Sequence, residues 1–503
     1  FDDNISGKYA NDAVKAKKKT IKDENISVSE KYDRVKNDGT YNSLSSQSLP
    51  NKTDVFLGDT AEFNKRAEFN NKVNDFSVSD LQTAEVVNKD NSVPDISVDF
   101  NVADYMPNLD KTNKKVYAKS NAKFAQDKTE ISGLSYETST KDDMTNKWFN
   151  CDVKATDSLF NKKHCYITGP ASSVVYGSLK VTNGKNMDVG QEGSNSTLIV
   201  KDNINVSDGE LQIRKNSVVF VFGDVYCKTL VMESGARLYV QGNFACKSAT
   251  VDENSLVYIG GTTTCDDGMT LNKDATLNSY GDVICKDNVV LGEGAKINTH
   301  GNFTCLPNDD NKAVTINSNA LIKVQGNFNC KKLSMLSNSN LYVAGNITCN
   351  STDFSSGSDN QVIYCGGNAV IRNDFASNRI IKAKGTLQLN NVNITAANQD
   401  NLYAGGGIVC GDFNANGGTN SIALCYPITV NSTLRLSENS TVKSSSDITI
   451  KAAELKGNNT IQTRGKFTVT ENFVVTNASK IIVDGAAKFK SLYLNDSSQL
   501  QDR

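Results

Sequence analysis

The stretch GNFTCLPNDDNKAVTINSNALIKVQGNFNC, from Gly301 to Cys330, begins and ends with nearly the same five residues. This five-residue word, a Gly followed four positions later by Cys, occurs seven times in near-constant register. Its glycines are separated by 19, 19, 20, 20, 25 and 19 residues. The cysteines of the word are Cys227, Cys246, Cys265, Cys285, Cys305, Cys330 and Cys349. Such spacing indicates an internal repeat, and a repeat decides the architecture before any single residue does.

Weaker versions of the word extend the repeat in both directions. They include GSLKV at Gly177 upstream and GAAKF at Gly485 downstream. Within one unit, ARLYVQGNFACKSATV from Ala236 to Val251, the apolar or small residues mostly fall two apart, which is the strand period. A unit this short cannot bury its apolar face alone, so successive units must stack. The sequence therefore predicts an all-β fold, a parallel β-solenoid of about 16 coils with about three short strands in each.

The first 150 residues differ from the repeats. They hold 22 Lys or Arg and 25 Asp or Glu, and they contain no Cys. We expect residues 1–150 to form a charged arm or small domain with a few strands. Residues 151–172 are then a cap or entrance, and residues 173–503 are the solenoid.

Parts of this arm alternate as strands do. In ISVDFNVADY the apolar residues Ile96, Val98, Phe100 and Val102 lie two apart, and FSVSDLQTAEVV (Phe76 to Val87) is a weaker case. Two interpretations stay open. The arm is a small domain of its own, or its strands pack on a solenoid, which could be that of another protomer.

Gly and Asn or Asp open most of the repeats, as in Gly242–Asn243 and Gly223–Asp224. We expect the Gly at a corner where a side chain would strain the backbone. Asn and Asp tolerate corners, and Asn amides stacked coil on coil can bond each other in a ladder. The column is therefore interpreted as structural.

The cysteine column predicts buried thiols, because sister repeats place Val, Ile or Leu at the same position. Cysteines one coil apart are also within the range of a disulfide, so some inter-coil disulfides remain an alternative. A metal or redox column is a third interpretation, although no CxxC-type spacing accompanies it. Cys151 and Cys165 lie outside the column and are either a disulfide at the entrance or two thiols of the cap.

Three tyrosines, Tyr239, Tyr258 and Tyr342, share one position between the Leu and Val columns, so we expect them to stack on one face. Such a row is a candidate glycan-binding face. The interpretation that we favour is an exposed tyrosine ladder that stabilises the sheet.

The sequence gives little support for a catalytic activity. The chain has two histidines, and no nucleophile elbow, P-loop or HExxH sequence occurs. The acidic pairs Asp266–Asp267 and Asp309–Asp310 are typical of solvated turns, with a weak calcium or sugar site as the alternative. We expect a protein that is not an enzyme and that needs no cofactor or metal.

The composition of the chain limits the kinds of partner that it can bind and indicates where the protein is located. The net charge of -2 gives no basic surface for nucleic acid, and no apolar run approaches a membrane-spanning length. The chain begins with Phe and is rich in Asn, Ser, Thr and Asp. We expect that a secretory signal precedes it and that the protein is secreted, extracellular or on the cell surface.

The repeat length, the Gly–Asn corners and the Val, Ile and Leu columns resemble those of the polymer-forming bactofilin-type β-helices, and the stalks of bacterial surface β-solenoids. The resemblance implies end-to-end self-assembly. In the last repeat Phe489, Leu492 and Leu494 keep the strand pattern, so these residues and the segment from Ile96 to Val102 are candidates for assembly.

We therefore expect a structural subunit of a secreted, self-assembling bacterial fibre or surface appendage, which polymerises head-to-tail with copies of itself. The alternative is a surface adhesin that binds polysaccharide. A polysaccharide lyase or hydrolase comes third.

Overall fold

A computed structural model describes the chain from Pro94 onward, apart from short segments. The described residues are 94–112, 115–117, 129–131, 135–138, 142–155, 165–193, 195–354, 361–373, 375–376, 380–395, 402–416, 421–424, 427–444, 446–483, 485–495 and 497–502. Most of the charged arm, with its segment from Phe76 to Val87, lies outside them. They divide into two compact units, which meet in sequence between Tyr364 and Cys365.

The first unit, Pro94–Tyr364, is a stack of coils held together by parallel strand pairing. Each coil contributes one short strand to one sheet and a longer, bent strand, or two shorter ones, to the other. The short-strand sheet contains Thr129–Ile131, Lys147–Phe149, Ser172–Val175, Thr197–Val200, Val218–Val221, Arg237–Val240, Leu256–Ile259, Thr276–Ser279, Lys296–Thr299, Leu321–Val324, Asn340–Val343 and the strand Val362–Cys365 at the unit boundary. The bent-strand sheet contains Ser135–Thr138, Asp142–Asp143, Asp152–Ala155, Cys165–Thr168, Leu179–Val181, Met187–Gln191, Ile204–Ile213, Val225–Met232, Phe244–Val251, Thr263–Leu271, Val283–Cys285, Val289–Leu291, Phe303–Cys305, Val314–Ile316, Phe328–Met335 and Ile347–Phe354.

The second unit repeats the same arrangement from Cys365 onward. One strand series comprises Ala369–Ile371, Phe375–Ala376, Leu387–Leu389, Val392–Thr395, Ile408–Cys410, Phe413–Asn416, Ile428–Ser437, Ile448–Lys456, Phe467–Val475 and Ala487–Leu494. The other comprises Ile380–Ala383, Leu402–Ala404, Ser421–Leu424, Thr441–Ser444, Thr460–Thr463, Lys480–Val483 and Gln499–Asp502. Parallel pairing again joins consecutive coils, as between Phe467–Val475 and Ala487–Leu494.

The predicted all-β parallel solenoid is thus confirmed. A coil has about three strands because the bent strand consists of two parts, which add to the one short strand. The bent strand Phe244–Val251 has two straight parts, and its pairing with the next coil shifts register after Cys246. In the coil of Val283–Cys285 and Val289–Leu291 the same two parts are separate strands. Parallel pairing also includes strands before residue 173, because Lys147–Phe149 pairs with Ser172–Val175.

The repeated apolar residues fill the interior of each coil. In the coil that begins near Ala236, the residues Leu238, Val240, Phe244 and Cys246 are all buried. Phe303 and Phe328, one coil apart, stack with ring centroids 5.0 Å apart. Identical positions thus contact each other from coil to coil, which makes a continuous core within the first unit.

The Gly of each word is required for close approach between coils and not for a left-handed backbone. A Cβ placed on Gly261 would lie 2.4 Å from Oδ1 of Asn243 and 2.9 Å from the carbonyl oxygen of Gly242. No real side chain tolerates contacts this short. The expected backbone strain at this corner is therefore wrong, and the reason for Gly is the packing of one coil on the next.

The left-handed backbone occurs at a different corner, after the bent strand. Asn216, Asn254 and Asp274 have φ of 54°, 57° and 55°, and Gly235 has φ of 74°. These are residue types that adopt this conformation at low cost. Each precedes a small buried Ser or Ala, namely Ser217, Ala236, Ser255 and Ala275.

The Asn and Asp side chains form the expected ladder, but mainly with the backbone. Oδ1 of Asn243 accepts a hydrogen bond from the backbone N–H of Thr262 in the next coil at 2.9 Å. Oδ1 of Asp224 accepts from the N–H of Asn243 at 2.7 Å. Oδ1 of Asn302 likewise accepts from the N–H of Asn327 at 2.8 Å. This pattern explains why Asp replaces Asn, since only an acceptor oxygen is needed.

Candidate functional site

The predicted tyrosine row is part of a longer outward column on the short-strand sheet of the first unit. Strand pairing places one residue of each coil in this column, between two inward-facing neighbours. From Trp148 to Tyr342 the column consists of Trp148, Val174, Ile199, Phe220, Tyr239, Tyr258, Asn278, Asn298, Lys323 and Tyr342. It is apolar and aromatic as far as Tyr258, then polar as far as Lys323, and aromatic again at Tyr342.

Residues 94–111, which we call the strap, lie along this column. Near one end of the strap, Asp95 pairs with Lys323 at 3.5 Å. Near the other end, the ammonium group of Lys111 lies 4.8 Å from the ring centroid of Tyr176. The strap therefore crosses successive coils in the order opposite to that in which the chain builds them.

The strap docks through aromatic and aliphatic side chains. The ring of Tyr105 stacks on that of Tyr239 with centroids 5.6 Å apart and an interplanar angle of 18°. The ring of Phe100 meets that of Tyr258 edge-on at 5.6 Å. Val102 and Met106, each 3% exposed, complete the apolar cluster over the column.

The chemistry of the strap matches that of the column beneath it. Its apolar residues lie over the aromatic part, and the carboxylate of Asp95 lies beside the only lysine of the column. Burial raises the pKa of Tyr258 to about 12, with a further contribution from the hydroxyl of Tyr105. The candidate glycan face at Tyr239 and Tyr258 is thus covered by the chain itself.

The segment from Ile96 to Val102 is therefore not a spare strand for assembly. Its alternation is real, because Val98 and Val102 are buried while the residues between them are more exposed. It forms no strand, however, and a short 3-10 helix, Val102–Asp104, follows the extended part. The period-two pattern arises because every second side chain faces the column. The antiparallel pair Asn108–Asp110 and Lys115–Tyr117 comes after it.

Other aromatic residues of the first unit remain accessible. Tyr280 is 45% exposed and stacks on the ring of His300, with centroids 4.5 Å apart. Tyr226 is 46% exposed and belongs to the bent-strand sheet. Tyr342 is half-buried, and the polar part of the column separates it from Tyr258. These three tyrosines therefore do not form one continuous row with Tyr239.

The seven cysteines of the repeat word form a column in register inside the first unit. Strand pairing places each opposite the next, from Cys227 to Cys349. All seven are buried thiols. Burial raises the pKa of Cys227 and of Cys330 well above the ordinary thiol value. Because the thiolate is the reactive form and solvent does not reach these side chains, we expect the column to react slowly at neutral pH.

Cys151 and Cys165 are also buried, and no disulfide joins them. Sγ of Cys165 lies 3.0 Å from Sδ of Met144. Each belongs to the interior of an early coil, so the interpretation as an entrance disulfide is replaced by that of two core thiols.

Charged groups are paired across coils. Arg214 makes a two-pronged contact with Asp188, at 2.7 and 2.9 Å, and a third bond to Glu233 at 2.8 Å. Of the two acidic pairs, Asp266 contacts Lys286 at 2.7 Å and Asp310 contacts Lys331 at 2.5 Å. Within the described ranges, no group of three or more His, Cys, Asp or Glu residues is arranged to hold a metal ion.

The candidate assembly residues of the last repeat are interior residues of the second unit. Phe489 and Leu492 are each 1% exposed, and Leu494 is 6% exposed. The ring of Phe489 lies 5.7 Å from that of Phe467 and 5.5 Å from that of Phe473. These side chains therefore continue the apolar column of the preceding coil.

Sequence reasoning missed the anchors of the strap, Tyr105 and Met106. A cluster of Tyr, Met and Leu within an otherwise charged arm was the available signal. Tyr176 and Phe222, which pack against the same cluster, were also missed, because they lie just after the short strands, where no repeat position is apolar throughout.

Comparison with protein-family models, with curated proteins and with solved structures finds no match to this chain. The coil geometry is thus the evidence on which the class rests, namely a parallel β-solenoid repeat protein. In the described part of the chain, no helix has the length and apolar character needed to cross a membrane.

Proposed function

We propose that this chain is a structural protein, the subunit of a secreted bacterial fibre or surface appendage that assembles head-to-tail. The observation that carries the proposal is the set of contacts that the repeated residues make between coils. Gly, Asn or Asp, Cys and Phe each contact the same position of the next coil. Their repetition is therefore accounted for by stacking, without a binding site.

The mode of stacking supports assembly between subunits. Consecutive coils join by parallel backbone pairing, which is the same interaction at every step. An edge strand is a template for a further strand, and a contact between two unlike edges propagates as a filament. In our proposal a coil of a second copy extends the column that contains Phe489, Leu492 and Leu494.

We also propose that the protein is similar to the bactofilin-type β-helices and that it is located outside the cell. The partners of the protein are other copies of the same chain. The protein acts without catalysis and without a cofactor.

Sedimentation velocity of the full chain over a hundredfold range of concentration tests this function. We expect species larger than the monomer that grow with concentration and dissociate on dilution. Leu492→Asp disrupts the last coil, because Leu492 is buried, and should shift the distribution to monomer while the circular dichroism of the remaining coils is kept. Lys490→Asp, at an exposed neighbouring position, should change neither. A monomer at every concentration would contradict the proposal.

The alternative is an adhesin that binds polysaccharide, and one observation favours it. Tyr280 and His300 are exposed aromatic side chains stacked on each other, and their ring edges carry a hydroxyl and ring nitrogens with which a sugar could bond. Retention on immobilised polysaccharides, lost in Tyr280→Ser and kept in Tyr226→Ser, would support the adhesin. A lyase or hydrolase remains third, because Asp266 and Asp310 are engaged with lysines.

A further inference from the structure

The thiol column is not uniform along its length. Its two sulfur–sulfur hydrogen bonds fall within two pairs of neighbours, although Cys265 also interacts with Cys285 on its other side. Sγ of Cys330 donates to Sγ of Cys349 at 3.2 Å, and Sγ of Cys349 donates to the carbonyl oxygen of Ser351 at 2.9 Å. Sγ of Cys246 donates to Sγ of Cys265 at 3.6 Å, and Sγ of Cys265 donates to the carbonyl oxygen of Gly268 at 2.8 Å. The two pairs thus have the same arrangement.

A third pair lies between them. Cys285 and Cys305 are opposite each other in the strand pairing. Both thiols lie near one acceptor, the carbonyl oxygen of Asp287, at 3.5 Å from Cys285 and 3.1 Å from Cys305. Two thiols that share one acceptor are held on the same side of the strand.

A run of seven neighbours can form three adjacent pairs in four ways, and the close sulfur contacts choose one of them. If Cys246 pairs with Cys265 and Cys330 with Cys349, then Cys285 and Cys305 are left as neighbours and Cys227 is left alone. Each of the other three ways joins Cys227 to Cys246 and therefore breaks the close contact between Cys246 and Cys265. Cα atoms of paired parallel strands are about 4.8 Å apart, inside the range that a disulfide spans.

We propose that oxidation converts the column into three disulfides, Cys246–Cys265, Cys285–Cys305 and Cys330–Cys349, and leaves Cys227 as a thiol. Each bond fastens one coil to the next inside the core. The oxidant is a low-molecular-weight disulfide. This inference does not depend on the proposed function, because it concerns the covalent state of a single chain.

The oxidation takes place by two thiol–disulfide exchanges. A protein thiol loses its proton and attacks one sulfur of the small disulfide, which releases one small thiol and forms a mixed disulfide. The second protein thiol, also deprotonated, then attacks the protein sulfur of that mixed disulfide and releases the second small thiol. Two protein thiols are oxidised, one small disulfide is reduced, and both protons end on the small thiols.

Burial governs the rate of this reaction and leaves the choice of pairs to geometry. All of the column thiols are buried, and burial raises the pKa of Cys330, so the reactive thiolate at that position is scarce in the folded state. The first attack therefore requires a transient opening of the coils.

The test uses the full chain and oxidised glutathione. The protein is incubated for days, blocked with an alkylating agent in denaturant and digested without reduction, and linked peptides are identified by mass spectrometry. We expect the three stated links, with Cys227 alkylated. Links that join Cys227 to Cys246 or Cys305 to Cys330, or seven alkylated thiols after the full incubation, would overturn the proposal.

A single variant makes the test independent of the other pairs. In Cys349→Ser, Cys330 should be recovered as an alkylated thiol, while the Cys246–Cys265 link forms to the same extent as in the parent. Transfer of Cys330 to a link with Cys305 in this variant would show that proximity in the column does not set the pairs, and would also overturn the proposal.

Discussion

The ring of Tyr105 stacks on that of Tyr239, with centroids 5.6 Å apart, although the two residues belong to segments far apart in the sequence. Tyr105 comes from the charged arm, and Tyr239 from the outward column of the short-strand sheet. Their contact converts a row of aromatic residues that faces outward into a second, smaller core. The strap is therefore part of the folded unit.

The strap should contribute to the stability of the first unit. Val102→Asp places a carboxylate in the apolar cluster, and we expect a loss of about 3 kcal/mol because an unpaired charge is buried. Asp99→Ala, at an exposed strap position, is the matched control and should change stability by less than about 0.5 kcal/mol. Denaturant unfolding measures both, and equal effects of the two variants would mean that the strap is not docked.

The Asn ladder should depend on an acceptor oxygen and not on the amide as such. Asn243→Ala removes the hydrogen bond to the backbone N–H of Thr262, and we expect a loss of about 1 kcal/mol. Asn243→Asp keeps the acceptor, as Asp224 does one coil earlier, and should stay near the parent. Thermal unfolding of the two variants compares them, and an Asp variant as unstable as the Ala variant would refute the backbone-ladder interpretation.

Ionisation of Tyr258 should couple to unfolding at alkaline pH. Its pKa is raised to about 12 in the folded state, from the ordinary value of 10.0, mainly by burial. The folded state therefore binds this proton more tightly than the unfolded state. The resulting stabilisation is fully present below about pH 10 and is lost as the pH rises towards 12.

Denaturant unfolding at several pH values between 9 and 12 tests this linkage, with Tyr258→Phe as the comparison. The parent should lose more stability over this interval than the variant does, because Phe cannot ionise. Parallel curves for the two proteins would show that Tyr258 titrates normally.

The thiol column should react slowly while the protein is folded. Burial holds the seven cysteines away from solvent, and it raises the pKa of Cys227 and of Cys330 well above the ordinary thiol value. We expect labelling by a thiol reagent to be at least about a hundredfold faster in denaturant than in native buffer. Rapid labelling of most of the seven in the native protein would place the column outside the core.

The coil interior could be predicted from sequence because its pattern is local. Apolar residues equivalent to Leu238, Val240 and Phe244 recur at fixed offsets in the repeats. Their spacing in multiples of two residues identifies the face of the strand that they share. The strap could not be predicted in the same way. The partners of Phe100 and Tyr105 lie more than a hundred residues along the chain, and a single strand-like pattern does not say which surface it will cover.

The role of Gly in the repeat shows a second limit. A glycine at a corner indicates either a left-handed backbone or a close approach, and the sequence does not distinguish them. At Gly261 the neighbouring coil decides, since Oδ1 of Asn243 occupies the place of a Cβ. The residues with a left-handed backbone, such as Asn216 and Asn254, could not be predicted from the sequence. The sequence shows them only as polar residues that precede a small one.

Electron microscopy of the negatively stained full chain shows directly whether the solenoid subunits assemble with one another. We expect unbranched filaments at high protein concentration. Their number should fall sharply in Leu492→Asp and should be unchanged in Lys490→Asp. Single particles of monomer size at every concentration, from a protein with the circular dichroism of a β-solenoid, would contradict it.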